Sequence, residues 1–535
     1  MKPITHALRR PLLALLLCLP ASIFAKESPA SFPLLEADVA TIQEAYDAGT
    51  LTAEALTRAY LDRIAAYDGQ GPAIDAFITV NEAAIQTARA LDKERAEKGP
   101  RGPLHGIPVV IKDNYDTKDL PTTGGSAALK DHRPTRDAFT VRRLREAGAV
   151  ILGKTNLSEL ALSYGRLGYS SAGGLTRNPY NLKRDASGSS SGTGAAVAAN
   201  LAVLGTGTDT AGSIRGPAAV NAAVGIKPTL GLTSRAGVIP ASLSFDVTGP
   251  IARSVRDAAL ALGIMAGVDP DDPRTGSSAQ WQVGDYLPSL DPDALSWARI
   301  GVVRDYTGAN PEVDAAFDRA LAVLRARGAV LEEIALPRFI HEAWSSMMGV
   351  VVDTEFRDQI EAYLKATNAP VKTLAELISV SESPEVSGSE TPVNPARIDG
   401  FKAAAKSRGV ADLVYLETLT NRMPEARGAV MHQMKSRRLD ALVFPTMLCP
   451  ASPRFDTKDD AYVCNAPDPY VPSYLASTTG FPEITVPMGF TEQGLPLGLS
   501  FFGQAYSEPD LIGLAYAYEQ ATHWRQPPSS TPALE

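Results

Sequence analysis

Residues 188–215 read GSSSGTGAAVAANLAVLGTGTDTAGSIR, and this stretch sets the architecture. A Gly/Ser turn over 188–194 runs into a helix of small residues over 195–200. An apolar run over 201–205 follows, short enough for a buried strand, and a second Gly-rich turn occupies 207–215. The N-terminal side repeats the alternation. Phe139, Val141, Leu144 and Ala147 form a helical stripe with Asp137 as its expected cap; Gly148 ends it, and 149–153 reads as a strand. Further back, 107–111 is apolar and β-branched, with Gly106 and Pro108 suited to a sheet edge or a strand entry. Residues 76–80 give another short strand. Leu56, Tyr60 and Ile64 mark a helix that Thr52 can cap. On the C-terminal side, Ser254 and Asp257 make a capping box for a helix through Met265. Strands alternating with helices over about 75–265 imply an α/β sheet covered on both faces.

The middle, about 270–440, reads as more helical and more polar, with a Pro/Ser/Glu-rich loop over 381–394. The strand signal returns at 440–445, 484–487 and 497–502. Ser507 and Asp510 are expected to cap a last helix over 511–520, with Pro509 in its first turn. No repeat of fixed period is apparent.

At 535 residues, 44% hydrophobic and 21% charged, the composition is that of a soluble globular protein. Lys2, Arg9 and Arg10 precede a short apolar run over 12–19, and Ala25 supplies a small residue at a cut before Lys26. Residues 1–25 therefore read as a cleaved export signal, which places the mature chain in the periplasm or outside the cell. Cleavage lowers the formal charge of −9 by three, to −12. An acidic chain of this kind is unsuited to nucleic acid or to an anionic membrane surface. Cys449 and Cys464 then remain, 15 residues apart, a disulfide candidate in an oxidising compartment. Closing such a loop contributes about 3 kcal/mol.

The chemistry gathers in three pieces. Taken alone, 188–194 reads as a surface loop or a phosphate cradle, but it lacks the Gly-Lys-Ser/Thr ending of the latter. Lys112 ends an apolar strand, where a lysine commonly snorkels to water. A buried lysine is different, because burial disfavours the charged form. Bringing its pKa from about 10.4 to the range useful for a base near neutrality takes roughly three units, about 4 kcal/mol of environmental bias. Ser213 follows Thr210-Ala211-Gly212, whose small residues let the backbone turn and aim its amides at one point. Together the pieces offer an amine, a relay hydroxyl, a nucleophilic hydroxyl and an oxyanion site, enough to cleave an amide without histidine or metal.

These motifs resemble the amidase signature family. Further matches are Gly153-Lys154-Thr155-Asn156, Thr176-Arg177-Asn178-Pro179-Tyr180, Gly225-Ile226-Lys227-Pro228-Thr229, Gly249-Pro250-Ile251-Ala252-Arg253, Gly480-Phe481-Pro482 and Gly494-Leu495-Pro496-Leu497-Gly498. The likeness spans about 35–525 and is greatest to bacterial peptide amidases, which remove C-terminal amides of peptides. It implies a single α/β amidase-signature domain over 26–535, with a large mixed β-sheet covered by helices on both faces and the variable middle walling the pocket. It also implies a triad in which Ser213 is the nucleophile, Ser189 (24 residues earlier, after a cis bond from Gly188) the relay and Lys112 the base. Amides of Thr210, Ala211, Gly212 and Ser213 would hold the oxyanion, and Ser190 would hydrogen-bond Lys112. Many members carry Gly or Asp where Ala211 stands, so the hole's geometry is where this chain departs.

The remaining candidates read as structural: His105 as a loop residue, Asp209 with Arg215 as a buried pair, and Trp281, Trp297, Trp344 and Trp524 as packing residues. The six histidines show no metal spacing, and no cofactor is expected. The expected partner is a small-molecule or peptide amide, with no nucleic acid and no membrane after signal cleavage. Alternatives are an amidase or esterase for aryl or fatty acyl amides, a transamidation subunit of a tRNA-linked complex, and an exported amide-binding protein without turnover.

Overall fold

The computed structural model describes residues 32–534; the export signal expected over 1–25 lies outside them. Pro33–Glu535 clusters as one unit. Its centre is an eleven-stranded sheet of β1 (Phe77–Val80), β2 (Pro108–Lys112), β3 (Val150–Thr155), β4 (Leu204–Asp209), β5 (Val224–Lys227), β6 (Val247–Ala252), β7 (Arg299–Val303), β8 (Val330–Ile334), β9 (Ala441–Pro445), β10 (Glu483–Phe490) and β11 (Pro496–Phe502). Their spatial order is β1-β3-β2-β4-β6-β5-β10-β11-β9-β7-β8. The sheet is mixed: β3, β2 and β4 run parallel, as do β9, β7 and β8, while the strands between pair antiparallel. Every residue of β2, β3, β4 and β6 is buried. Side chains alternate between faces, so both faces are covered. Among the covering helices, Arg215–Val220 packs on β5, β10 and β11, Val255–Met265 on β6, and Glu508–Thr522 on β10.

Several local expectations shift. Pro108 opens β2, which is flanked by β3 and β4, so it marks a strand entry and not an edge. The strand expected at 201–205 is Leu204–Asp209. Its Gly-Thr-Gly-Thr pattern hides it from a hydrophobicity reading, yet β4 lies in the middle of the sheet. A Cβ on Gly205 would stand 2.5 Å from Val110 Cγ2, so the close approach of β2 requires glycine. The helix expected at 195–200 begins inside the Gly/Ser run, as Ser191–Ala198.

Three caps also differ. Asp137 does not cap Phe139–Glu146; it accepts from Lys118 N and pairs with Arg145. Ser254 does cap Val255–Met265, but the Asp257 carboxylate accepts from Val39 N instead of closing the box. Ser507 donates to Gln504 O and gives Glu508–Thr522 no side-chain cap. The middle is not only helical: β7 and β8 belong to it and extend the far end of the sheet, between helices such as Pro311–Ala326 and Gly349–Ala366. No helix among the described residues is long and apolar enough to cross a membrane.

Candidate active site

The parallel pairing of β2 and β4 (Val109 opposite Leu204, Val110 opposite Gly205) brings their C-terminal ends to one edge of the sheet. That edge is where open α/β sheets place ligands. Lys112 ends β2 there, and its backbone N–H donates to Thr206 Oγ1 at 3.1 Å. Its Nζ meets Ser189 Oγ at 2.8 Å and Thr208 Oγ1 at 2.7 Å. Asn114 Nδ2 donates to the same threonine hydroxyl at 3.1 Å. Lys112 and Ser189 are completely buried.

Among the described residues, Lys112 is one of three fully buried lysines. Lys154 faces the Asp113 carboxylate at 2.9 Å, and Lys227 donates to the carbonyls of Phe481 and Pro228. Lys112 faces hydroxyls and pairs with no carboxylate. Burial pushes its ammonium down to about 7, against the pull of the more distant Asp209 and Asp246. Around neutrality much of this amine is unprotonated and able to accept a proton.

Ser189 follows a cis peptide bond from Gly188. Tyr470 clamps that turn: its hydroxyl bonds Ser187 Oγ, accepts from Gly188 N at 3.1 Å and donates to Gly188 O at 3.2 Å. Ser213 is joined to the same turn through its carbonyl, which accepts from Ser190 N at 3.1 Å. Ser213 Oγ makes no hydrogen bond with Ser189 Oγ among the described residues. Its side chain opens instead on a cleft of about 440 Å³ shared with Gly188, Ala211, Tyr164, Trp344, Asp468 and Tyr470.

Two expected roles are corrected. Ser190 makes no hydrogen bond with Lys112 among the described residues. It stands immediately before Ser191–Ala198, and its Oγ donates to Thr208 O at 3.3 Å. Gly212 is not an oxyanion donor, because its N–H donates to Asp209 Oδ1 at 2.8 Å. Asp209 takes it because Arg215 fixes that carboxylate in place, through Nε at 3.0 Å and Nη2 at 2.8 Å. Burial alone would raise the Asp209 carboxyl, but the guanidinium holds it well below the usual carboxylate range. The amides of Thr210, Ala211 and Ser213 make no hydrogen bond among the described residues and remain as donors. The departure at Ala211 is harmless, because the left-handed φ of this turn, +102°, falls on Gly212. A Cβ there would also stand 2.5 Å from Ser473 Oγ.

The expected Asp209–Arg215 pair is present, extended by Glu483 at 2.7 Å from Arg215 Nη1, all fully buried. His105 is held by Arg101 N and Leu91 O, away from the chemistry. Cys449 and Cys464 form a disulfide with Cα atoms 5.6 Å apart. The loop it closes contributes Ser452, Pro453 and Phe455 to the cleft wall. Of the four tryptophans, Trp344 lines the cleft and Trp297 is 84% exposed, so neither is simply a packing residue. Among the described residues no group of three or more His, Cys, Asp or Glu side chains is placed to hold a metal.

Thr208, Asn114 and Tyr470 were missed in the sequence. Thr208 was legible as a polar residue on a buried strand, and Asn114 as a polar residue in the turn just after Lys112. Tyr470 stands 281 residues from Ser189 along the chain and carries no local signal.

Comparison with known proteins places the chain in a family. The family model described as Amidase matches residues 55–512. The peptide amidase of Stenotrophomonas maltophilia is 41% identical, covers 94% of this chain and 100% of its own, and superposes with a TM-score of 0.84. A peptide amidase solved in complex with the competitive inhibitor chymostatin is likewise 41% identical, covers 93% of this chain and 100% of its own, and superposes with a TM-score of 0.84. A glutamyl-tRNA(Gln) amidotransferase subunit of Moorella thermoacetica is 38% identical over 496 residues, 89% of this chain and 95% of its own length.

Proposed function

The chain belongs to the amidase family of amide-hydrolysing enzymes, and we propose that it is an exported serine amidase that removes C-terminal amides of peptides. The observation that carries the mechanism is the buried, carboxylate-free Lys112 amine 2.8 Å from Ser189 Oγ, beside a cleft that opens on Ser213.

In this reading Ser213 Oγ attacks the amide carbonyl. Its proton passes to Ser189 Oγ as the Ser189 proton passes to Lys112 Nζ. The oxyanion forms against the amides of Thr210, Ala211 and Ser213, where losing one donor typically costs about 10²–10³ in rate. Collapse of the intermediate returns the proton through Ser189 to the leaving nitrogen. Ammonia departs and Ser213 remains acylated. Water then attacks the ester by the same relay, releasing the acid and restoring Ser213. The relay requires Ser213 Oγ to come within hydrogen-bond distance of Ser189 Oγ when substrate is bound.

The full-length likeness to a peptide amidase supports the substrate class, and the Cys449–Cys464 disulfide suits an oxidising compartment. The likeness to an amidotransferase component supports a second reading, a transamidation subunit, which export would oppose. Two experiments test the proposal. Ser213→Ala should keep a cooperative unfolding transition while losing turnover of peptide amides and labelling by a fluorophosphonate. Wild-type turnover by that variant overturns the triad, and recovery of the mature protein in the cytosol alone overturns export.

A further inference from the structure

The cleft above Ser213 is acidic, although burial pushes one of its two carboxyls, Asp185, up to about 7 and leaves it only partly charged near neutrality. Its lining holds two carboxylates, Asp185 and Asp468, and no lysine or arginine among the described residues. Asp468 is half-buried and held from two sides. The Tyr474 hydroxyl donates to Oδ2, and Tyr470 N donates to Oδ1 at 2.9 Å. Each carboxylate oxygen keeps a further lone pair for a ligand. Asp185 is more deeply buried; it accepts from Ser187 N at 2.8 Å, and its own N–H donates to Ser452 O.

Trp344 and Tyr474 share the cleft with Asp468, their rings 5.7 Å apart and tilted by 31°. An aromatic face beside a carboxylate suits a cation. A neutral apolar group seated there would strip water from Asp468 and leave its charge uncompensated. Arg166 and Arg184 keep their positive charge but are not among the residues that line the cleft. Arg166 lies over the rings of Phe455 at 4.4 Å and Tyr169 at 5.2 Å. Arg184 pairs with Asp459 and lies over Tyr462.

We propose that this cleft selects amides whose acyl part is positively charged, such as peptide amides ending in lysine or arginine, with Asp468 as the specificity-determining residue. The inference rests on the amidase reading of the Ser213 cleft and adds the charge of the substrate to it. The matched probes are Nα-acetyl-lysinamide and Nα-acetyl-norleucinamide, nearly equal in size and differing in the ammonium.

The wild-type enzyme should prefer the lysine amide by about tenfold in kcat/KM, mainly through KM, and the preference should shrink as ionic strength rises. Asp468→Asn should bring the ratio of the two substrates close to one. Equal wild-type use of both amides, or an unchanged ratio in Asp468→Asn, overturns the proposal. A purely structural role for Asp468 lowers both rates together and leaves the ratio intact, so it also overturns it. If neither amide is hydrolysed and Ser213 resists a fluorophosphonate, the amidase reading has failed separately. Calorimetric binding of the two amides then decides: tighter binding of the lysine amide supports the cation site, and equal affinities overturn it.

Discussion

Lys112 Nζ lies 2.8 Å from Ser189 Oγ, and both side chains are sealed from water. An ammonium in this position would have only hydroxyls and a distant carbonyl to share its charge with. Thr208 supplies both, its Oγ1 at 2.7 Å and its carbonyl at 3.5 Å. Neutral Nζ satisfies the geometry better: it donates toward Thr208 and turns its lone pair to the Ser189 hydroxyl. The protonation state of one side chain therefore sets the direction in which Ser189 passes its proton.

The rate of amide hydrolysis should follow Lys112. Burial brings its pKa down to about 7, with Asp209 and Asp246 opposing. The base is active when neutral, so kcat/KM should rise with pH through about 7 and level off above. A profile measured with a neutral substrate, flat from pH 5 to pH 9, would exclude Lys112 as the base.

The same shift predicts a stability effect. Unfolded Lys112 titrates near 10.5 and folded Lys112 near 7, so the unfolded chain binds the extra proton between these values. The folded state is favoured most above the unfolded pKa. It loses that advantage as pH falls toward 7 and changes little below. Relative to Lys112→Met, the wild-type protein should thus gain stability from pH 7 to pH 10.5, by about 5 kcal/mol at most. Parallel stability–pH curves for the two proteins, from urea denaturation, would contradict the buried neutral lysine.

Thr208→Val removes a hydroxyl that accepts from Lys112 Nζ and Asn114 Nδ2 at similar volume. A hydrogen bond of this kind contributes about 1 kcal/mol, so loss of the amine's aim should lower kcat roughly five- to tenfold. The acceptor also favours the charged amine, so the acid limb of the pH profile should move to lower pH. A limb that stays in place or moves upward would show that Thr208 does not hold the amine.

In the sequence, Lys112, Ser189 and Ser213 lie in Gly- or β-rich motifs that read as ordinary one at a time; their combination and the resemblance to the amidase signature family singled them out and assigned their roles. The reading of the sequence misplaced β4 because Gly205, Thr206, Gly207 and Thr208 look like a turn; their strand character comes from the neighbours on either side. It missed β7 because Ile300, Val302 and Val303 form a short run between polar segments, paired with strands far away in the chain. The Gly212 amide appeared free because its partner, Asp209, is oriented by Arg215, and Arg215 is in turn held by Glu483 and Ser473. Side chains converging on the cleft from Trp344 and from 452–474 leave no periodic trace. Their shared role exists only after folding.

That ionic cluster yields a stability prediction. Arg215 is the common partner of Asp209 and Glu483, and all three are fully buried. Arg215→Met leaves two carboxylates without their cation. Removing one member of such a cluster typically costs about 3–5 kcal/mol. Urea denaturation should show a loss in that range, and Asp209 should release its hold on the Gly212 and Ile214 amides, so residual activity in the folded fraction should also fall. A variant as stable as the wild type would mean that the cluster contributes little to the fold.

The disulfide acts on a different property. It closes the 15-residue separation between Cys449 and Cys464, and Ser452, Pro453 and Phe455 within that loop wall the cleft. Lys112, Ser189 and Ser213 sit on β2 and on the two Gly-rich turns, outside the loop. Replacing both cysteines by serine should therefore cost up to about 3 kcal/mol of stability. It should raise KM for a peptide amide more than it lowers kcat, since the wall moves while the relay stays. A fall in kcat at unchanged KM would place the effect of the crosslink in the relay itself, contrary to the geometry of the loop.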